Sequence, residues 1–186
     1  MNRLSPVAFV AALATLAACS HSQSSTVTQS TAALNSSGDI PDTQLFVTYR
    51  ASRYAVPYPE GWSKTVGASS VRFVSNYDGE QVIARVSRNK PMPSTSDPSI
   101  AATLSSFSKV RDARVRSVTL PGGTAVLVAF TSESPLNAVT AKRVRLENHS
   151  YVFFRHGQTF SLDLWAPVGA DNVDQWNRIS QGFRWH

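Results

Sequence analysis

The side chains of this 186-residue chain that could do chemistry are two central histidines, scattered carboxylates and a surplus of arginine. His149 and His156, with Asp163 and any of many serines, supply the residue types of a nucleophilic triad. No Gly-x-Ser-x-Gly elbow presents a serine to them, and both histidines fall beside expected turns, where solvated histidines are the common case. No His-x-His or His-Glu-x-x-His pattern offers a metal cage. The acidic residues are too dispersed for a paired-carboxylate hydrolase, and Pro121-Gly122-Gly123 fits a hairpin better than a phosphate loop. No enzymatic activity, metal or cofactor is expected. Arginine is the remaining candidate. Arg143 and Arg145 alternate on one expected strand face, with Arg155 on the following strand, and Arg114 and Arg116 form a second alternating pair. Brought together, such guanidiniums bind phosphates or carboxylates through bidentate forks. The alternative is a solvated basic face, partly neutralised by Glu147 and Asp163.

A different chemistry is written at the start of the chain. Arg3 precedes a nearly continuous apolar run from Val7 to Ala18, and the single cysteine, Cys19, follows Leu16-Ala17-Ala18. Charge, apolar run and small residues are the three parts of a secretion signal, and the run is too short to span a bilayer as a helix. The pattern resembles the lipobox of bacterial lipoproteins, whose cysteine is acylated and becomes the first mature residue. The resemblance implies a signal peptide over residues 1–18 and lipidation (palmitate and related acyl chains) at Cys19. It further implies a protein held on a cell membrane or outer membrane, facing away from the cytoplasm. Each buried methylene adds ~0.8 kcal/mol, and two or more chains anchor stably. Acylation also removes the liability of an unpaired thiol in an oxidising compartment. Secretion disfavours nucleic acid as a partner.

Residues 19–44 are expected to be anchor and tether. From Ser20 to Gln44, 11 of 25 residues are Ser or Thr, and apolar residues are scattered. Such a segment buries too little apolar surface to offset its ordering entropy, and as a coil would span on the order of 25–30 Å. Residues 45–186 are long enough for one domain with a disulfide-free core. They carry 17 basic and 10 acidic side chains, a balance suited to anionic lipid, envelope polymers or an acidic protein.

Strand signals dominate that domain. Runs at 45–50, 54–57, 71–74, 81–86, 114–120, 125–130, 143–146, 151–155 and 160–165 are separated by turn residues, Asp78-Gly79 and Pro121-Gly122-Gly123 among them. Short connections imply a largely antiparallel sheet. Two amphipathic helices are expected. One starts at Asp97-Pro98 and sets Ile100, Leu104 and Phe107 on a single stripe. The other runs from Asp171 to Gly182 with Val173, Trp176 and Ile179 on one side. The fold class is α+β: an antiparallel sheet flanked by helices.

Tyr54-Ala-Val-Pro-Tyr-Pro-Glu-Gly-Trp62, the glycine hairpin Gly122-Gly123-Thr-Ala125, Tyr151-Val-Phe-Phe, Phe160-Ser-Leu-Asp-Leu and the ending Gln181-Gly-Phe-Arg-Trp185 resemble the PsbP/Mog-like family. That family includes the photosystem II PsbP subunit, the Ran-binding Mog protein and bacterial lipoproteins of the LpqN kind. The resemblance covers most of 45–186 as a pattern of hydrophobic positions. It implies an α/β/α sandwich and a non-enzymatic binding or assembly role, with no shared active site. Bottom-up, Pro57, Pro59 and Gly61 shape a turn that returns Trp62 to the core.

Two functions follow. The first is a membrane-anchored envelope module that docks an envelope protein partner. The second is a lipid or glycolipid carrier with an apolar crevice between sheet and helix.

Overall fold

The computed structural model describes residues 38–75, 81–88, 100, 104 and 107–186, with 81–88 described by the course of their backbone. All of them lie in the unit Ala33–His186 into which the chain divides. Ten strands and one helix follow in order: β1 (Phe46–Arg50), β2 (Tyr54–Pro59), β3 (Ser63–Val66), β4 (Ser70–Val74), β5 (Gln81–Arg88), β6 (Ser108–Leu120), β7 (Gly123–Glu133), β8 (Arg145–Arg155), β9 (Gln158–Pro167), α1 (Val173–Gly182) and β10 (Arg184–Trp185).

The strands form a three-stranded sheet, β1-β2-β10, and a seven-stranded sheet, β3-β4-β5-β9-β8-β7-β6, with every pairing antiparallel. Among the described residues the architecture is α+β in class but mostly β, with one short helix described along its whole length and helical residues at Ile100 and Leu104, where a helix-flanked sheet was expected. Alternation along β7 shows how the large sheet is covered on both faces. Ala125 and Leu127 enter one core with Phe153, Phe160, Leu162, Trp176, Ile179 and Phe183. Val126, Val128 and Phe130 enter a second cluster with Ile100, against which Leu104 and Phe107 pack. Successive strand side chains point to opposite faces, so one apolar run builds two cores. Ile100 and Leu104 are both helical, in keeping with the expected stripe; its Asp97-Pro98 start lies outside the described residues, as does the Asp78-Gly79 turn.

α1 ends where expected, but its buried side differs. Gln175, Trp176, Ile179 and Ser180 are buried, whereas Val173 is exposed. The helix comes very close to β2: a Cβ at Gly182 would lie 2.2 Å from Pro57 Cγ. Phe183, just beyond it, stacks on Phe160 with centroids 4.0 Å apart. Trp62 is half-buried against this core.

Two further expectations differ from the structure, and one strand was not expected. The runs 143–146 and 151–155 are not two strands around a turn; Arg145–Arg155 is one strand, and Asn148-His149-Ser150 lies in its middle. Partners reach the Asn148 amide nitrogen and the Ser150 hydroxyl, while Asn148 Oδ1 is buried without one among the described residues. Asn148 Nδ2 donates to Ser132 Oγ at 3.0 Å, and Ser150 Oγ donates to Asp163 Oδ1. Second, the last residues assigned to the tether are docked on the domain. Ile40 is buried in the main core, its N–H donates to Asn172 Oδ1 at 2.7 Å, and Asn172 Nδ2 donates to the Gly38 carbonyl at 2.7 Å. Asp39 and Asp42 accept from Asp171 N and Gln175 Nε2 at 2.7 and 2.9 Å. Asn172, at the cap position of α1, makes no side-chain cap bond because its amide is committed to this segment. The unexpected strand is β3, which carries no apolar alternation and is exposed along its length, so only its pairing with β4 reveals it.

Candidate functional site

The sheet separates the arginines that the sequence places near one another. Arg143 lies in the loop before β8 and donates through Nη1 to the Ser134 carbonyl at 2.8 Å. Arg145 opens β8, bonds Thr131 Oγ1 through Nη2 and sits 3.8 Å from Asp112 Oδ2. Arg155 closes the same strand, not the following one, and ten residue steps at about 3.3 Å put it roughly 33 Å from Arg145. Arg143 and Arg145 therefore have local partners at one end of β8, and Arg155 belongs to the other end.

At that other end Arg155 joins a cleft of about 410 Å³ lined by Arg53, Arg155, His156, Gln158, Trp185 and His186. Local structure fixes each contributor. Arg155 and Gln158 pair across a two-residue β8–β9 turn whose central residues, His156 and Gly157, take φ of 48° and 73°. This is the backbone of the tight turn that matches strand twist. On the facing side, the Ala51 N–H donates to the Tyr54 carbonyl at 2.8 Å, holding the β1–β2 turn that carries Arg53. The His186 N–H donates to the Arg53 carbonyl at 2.9 Å, so β10 locks beside it. Trp185 is wedged edge-on against Phe160 and Phe183, at 6.0 and 5.3 Å. A neighbouring pocket of about 300 Å³ shares Arg53 and is lined by Tyr49, Tyr54, Ser52 and Ser70, among others. Burial, reinforced by Tyr49, pushes the Tyr54 phenol up to about 12, so it stays a neutral hydrogen-bonding group at physiological pH.

No carboxylate side chain lines the larger cleft. Its lining residues are two arginines, two histidines, a glutamine and a tryptophan, residue types that can donate hydrogen bonds to an oxyanion. Arg53 was not singled out from sequence because nothing in the chain's order links residue 53 with 155. The only available signal was its place in a turn between two strands.

The triad residues do not assemble. His149 pairs across from Leu164, whereas Asp163 pairs with Ser150, so the His149 and Asp163 side chains project from opposite faces of the sheet. His156 is seven residues farther along, about 23 Å away in an extended strand. His149 packs edge-on against Trp176 at 4.8 Å, with Nε2 3.6 Å from Glu147 Oε1. Burial lowers its pKa below the ordinary histidine value; Glu147 opposes this shift and Arg116 adds to it. Among the described residues no three His, Cys, Asp or Glu side chains converge on a metal position. No helix among them is long and apolar enough to cross a membrane. Cys19 lies outside the described residues.

No family model and no curated protein matches this chain. Among solved structures it is similar to the cyanobacterial PsbP of Synechocystis sp. PCC 6803, at 13% identity and TM-score 0.48, over 80% of this chain and 98% of that one. It is also similar to LpqN, involved in cell envelope biogenesis of Mycobacterium tuberculosis, at 14% identity and TM-score 0.46, over 76% of this chain and 90% of that one. A structure from Bacteroides thetaiotaomicron is similar at 12% identity and TM-score 0.46 over 72% of this chain, which spans 45% of that protein's length.

Proposed function

We propose that this chain is a non-enzymatic binding or assembly module of the cell envelope. In this reading a PsbP/Mog-like domain with an α/β/α sandwich is held at a membrane by lipid on Cys19. The observation that carries it is the filled space between sheet and helix. Phe153, Phe160, Phe183, Leu162, Leu164, Ile179 and Val56 are at most 1% exposed there, and their rings stack or tilt on one another. An acyl chain needs an apolar cavity to enter, and this packing occupies the place where a lipid carrier would have one. The Arg53–Arg155 cleft instead suits recognition from outside: an acidic or phosphorylated partner meets two arginines in a concavity that Trp185 also lines. Membrane attachment, an envelope partner and the lack of catalysis belong to this proposal together.

The test is metabolic labelling with a fatty-acid analogue, followed by membrane fractionation. The wild-type chain should be labelled and recovered with membranes, and Cys19→Ser should be unlabelled and released. Equal labelling of the two would remove the anchor and, with it, the envelope reading.

A further inference from the structure

The described residues gather exposed apolar side chains at the end of β8 away from the cleft. Leu136, Val139 and Val144 are 56%, 93% and 48% exposed, and all three belong to the connection from β7 to β8. Val168, 51% exposed, donates its N–H to the Arg145 carbonyl at 2.9 Å and so stands at the root of the same connection. Exposed apolar side chains gathered in one place mark a surface that meets something.

This connection is built rather than slack. At its neck the Ser134 N–H donates to the Val144 carbonyl at 2.8 Å and Ser134 Oγ accepts from Val144 N at 2.9 Å. Arg143 Nη1 braces it through the Ser134 carbonyl. At its tip the Asn137 N–H donates to the Lys142 carbonyl and the Ala141 N–H to the Asn137 carbonyl, each at 2.9 Å. Asn137 Oδ1 accepts from Val139 N and Thr140 N, also at 2.9 Å. The amide donors of Val139, Thr140 and Ala141 are thus satisfied inside the loop. Backbone groups must be so paired before a segment can press against an apolar medium.

Charge indicates which medium. The stretch 134–144 contains Lys142 and Arg143 and no acidic residue. Glu133, at its base, is paired with Lys109 at 3.0 Å, and Arg145 offsets Asp112. An apolar tip within a cationic collar matches an anionic bilayer surface. A few side chains on one loop make a small patch beside the roughly 800 Å² per partner of a stable protein interface.

We infer that the 134–144 hairpin is a membrane-docking loop, seating Leu136 and Val139 at the boundary of headgroups and acyl chains with Lys142 and Arg143 against lipid phosphates. It needs the domain to face a membrane but not the lipid on Cys19, and the two are tested apart. Because Cys19 is the only cysteine, the full chain carrying Cys19→Ser and Val139→Cys holds one thiol for a polarity-sensitive dye, on a side chain whose loss leaves the fold intact. Ser52→Cys in the same background, labelled alike, is the comparison at the cleft end. Phosphatidylcholine vesicles with and without phosphatidylglycerol are the probes, each at low and high salt. The expected result is a blue-shifted, severalfold brighter emission at position 139 with anionic vesicles, weakened by salt and by Lys142→Gln, with little change at position 52. In the undyed Cys19→Ser chain, Leu136→Asp should lower the co-sedimented fraction severalfold. Unchanged emission at 139, or an equal response at 139 and 52, would overturn the inference. So would a concentration-dependent shift without vesicles, which would give the loop to a second copy of the chain.

Discussion

Phe183 and Trp62 are both aromatic residues of the main core, yet they differ in how much a deletion should cost. Phe183 is fully buried between Phe153 and Phe160, so Phe183→Ala should destabilise the domain by about 3–5 kcal/mol in urea denaturation. Trp62 keeps one side in solvent, and Trp62→Ala should cost roughly 1–2 kcal/mol by the same measurement. The sequence marked Trp62 as core but could not grade its burial against that of Phe183, because the grade depends on distant neighbours. His149 adds a pH term. Its folded-state pKa is lowered, chiefly by burial, so the unfolded chain binds the extra proton more readily. Its contribution is present above the unfolded histidine pKa and is lost as pH falls through the folded one. Thermal melts should therefore show the wild type losing more stability between neutral and mildly acidic pH than His149→Gln; equal losses would mean the ring is solvated.

At the scale of elements, the segment just before β1 is the informative case. Its composition resembles a tether, and no periodicity distinguishes 38–44 from the Ser/Thr-rich run before it. The partners that order it, Asn172 and Gln175, lie more than 130 residues away, where local pattern cannot reach. Ile40→Ala should cost about 2–5 kcal/mol, the range for a fully buried aliphatic side chain. The Ile40 amide should exchange slowly by hydrogen–deuterium exchange, and fast exchange there would return the segment to the tether. Asn148-His149-Ser150 has the same lesson: three polar residues suggest a turn until Ser132 and Asp163 supply their partners across the sheet. What was legible was whatever repeats locally, namely the alternation of β4, β7 and β9, the Pro121–Gly123 turn and the Ile100–Leu104–Phe107 stripe. The candidate cleft was not, apart from Arg155, because three separate chain segments make it.

For the folded unit as a whole, charge is arranged by strand position. β6 is an outer strand of the large sheet, carries Lys109, Arg111, Arg114 and Arg116, and departs from regular pairing at two register shifts. Charges and bulges on an edge oppose pairing with other chains, which gives Arg114 and Arg116 a protective role without a ligand. Arg53 and Arg155 have no such duty, and their cleft is where an anion should bind. Joint replacement, Arg53→Gln with Arg155→Gln, should weaken binding of inorganic phosphate about tenfold or more, since each charged hydrogen bond contributes ~1.5–3 kcal/mol. An NMR titration followed at the Trp185 indole is the measurement; an unchanged affinity would leave these arginines as solvated surface.

The central claim is a domain that binds at its surface because, among the described residues, the space between its large sheet and α1 is filled. Native mass spectrometry of the Cys19→Ser chain, purified from envelope extracts without added lipid, tests it most directly. The expected spectrum contains the mass of the polypeptide alone, since the space between sheet and helix is filled by Phe153, Phe160, Phe183 and Ile179. A stoichiometric lipid adduct that survives gentle activation and disappears on unfolding would contradict the claim and establish a carrier in its place.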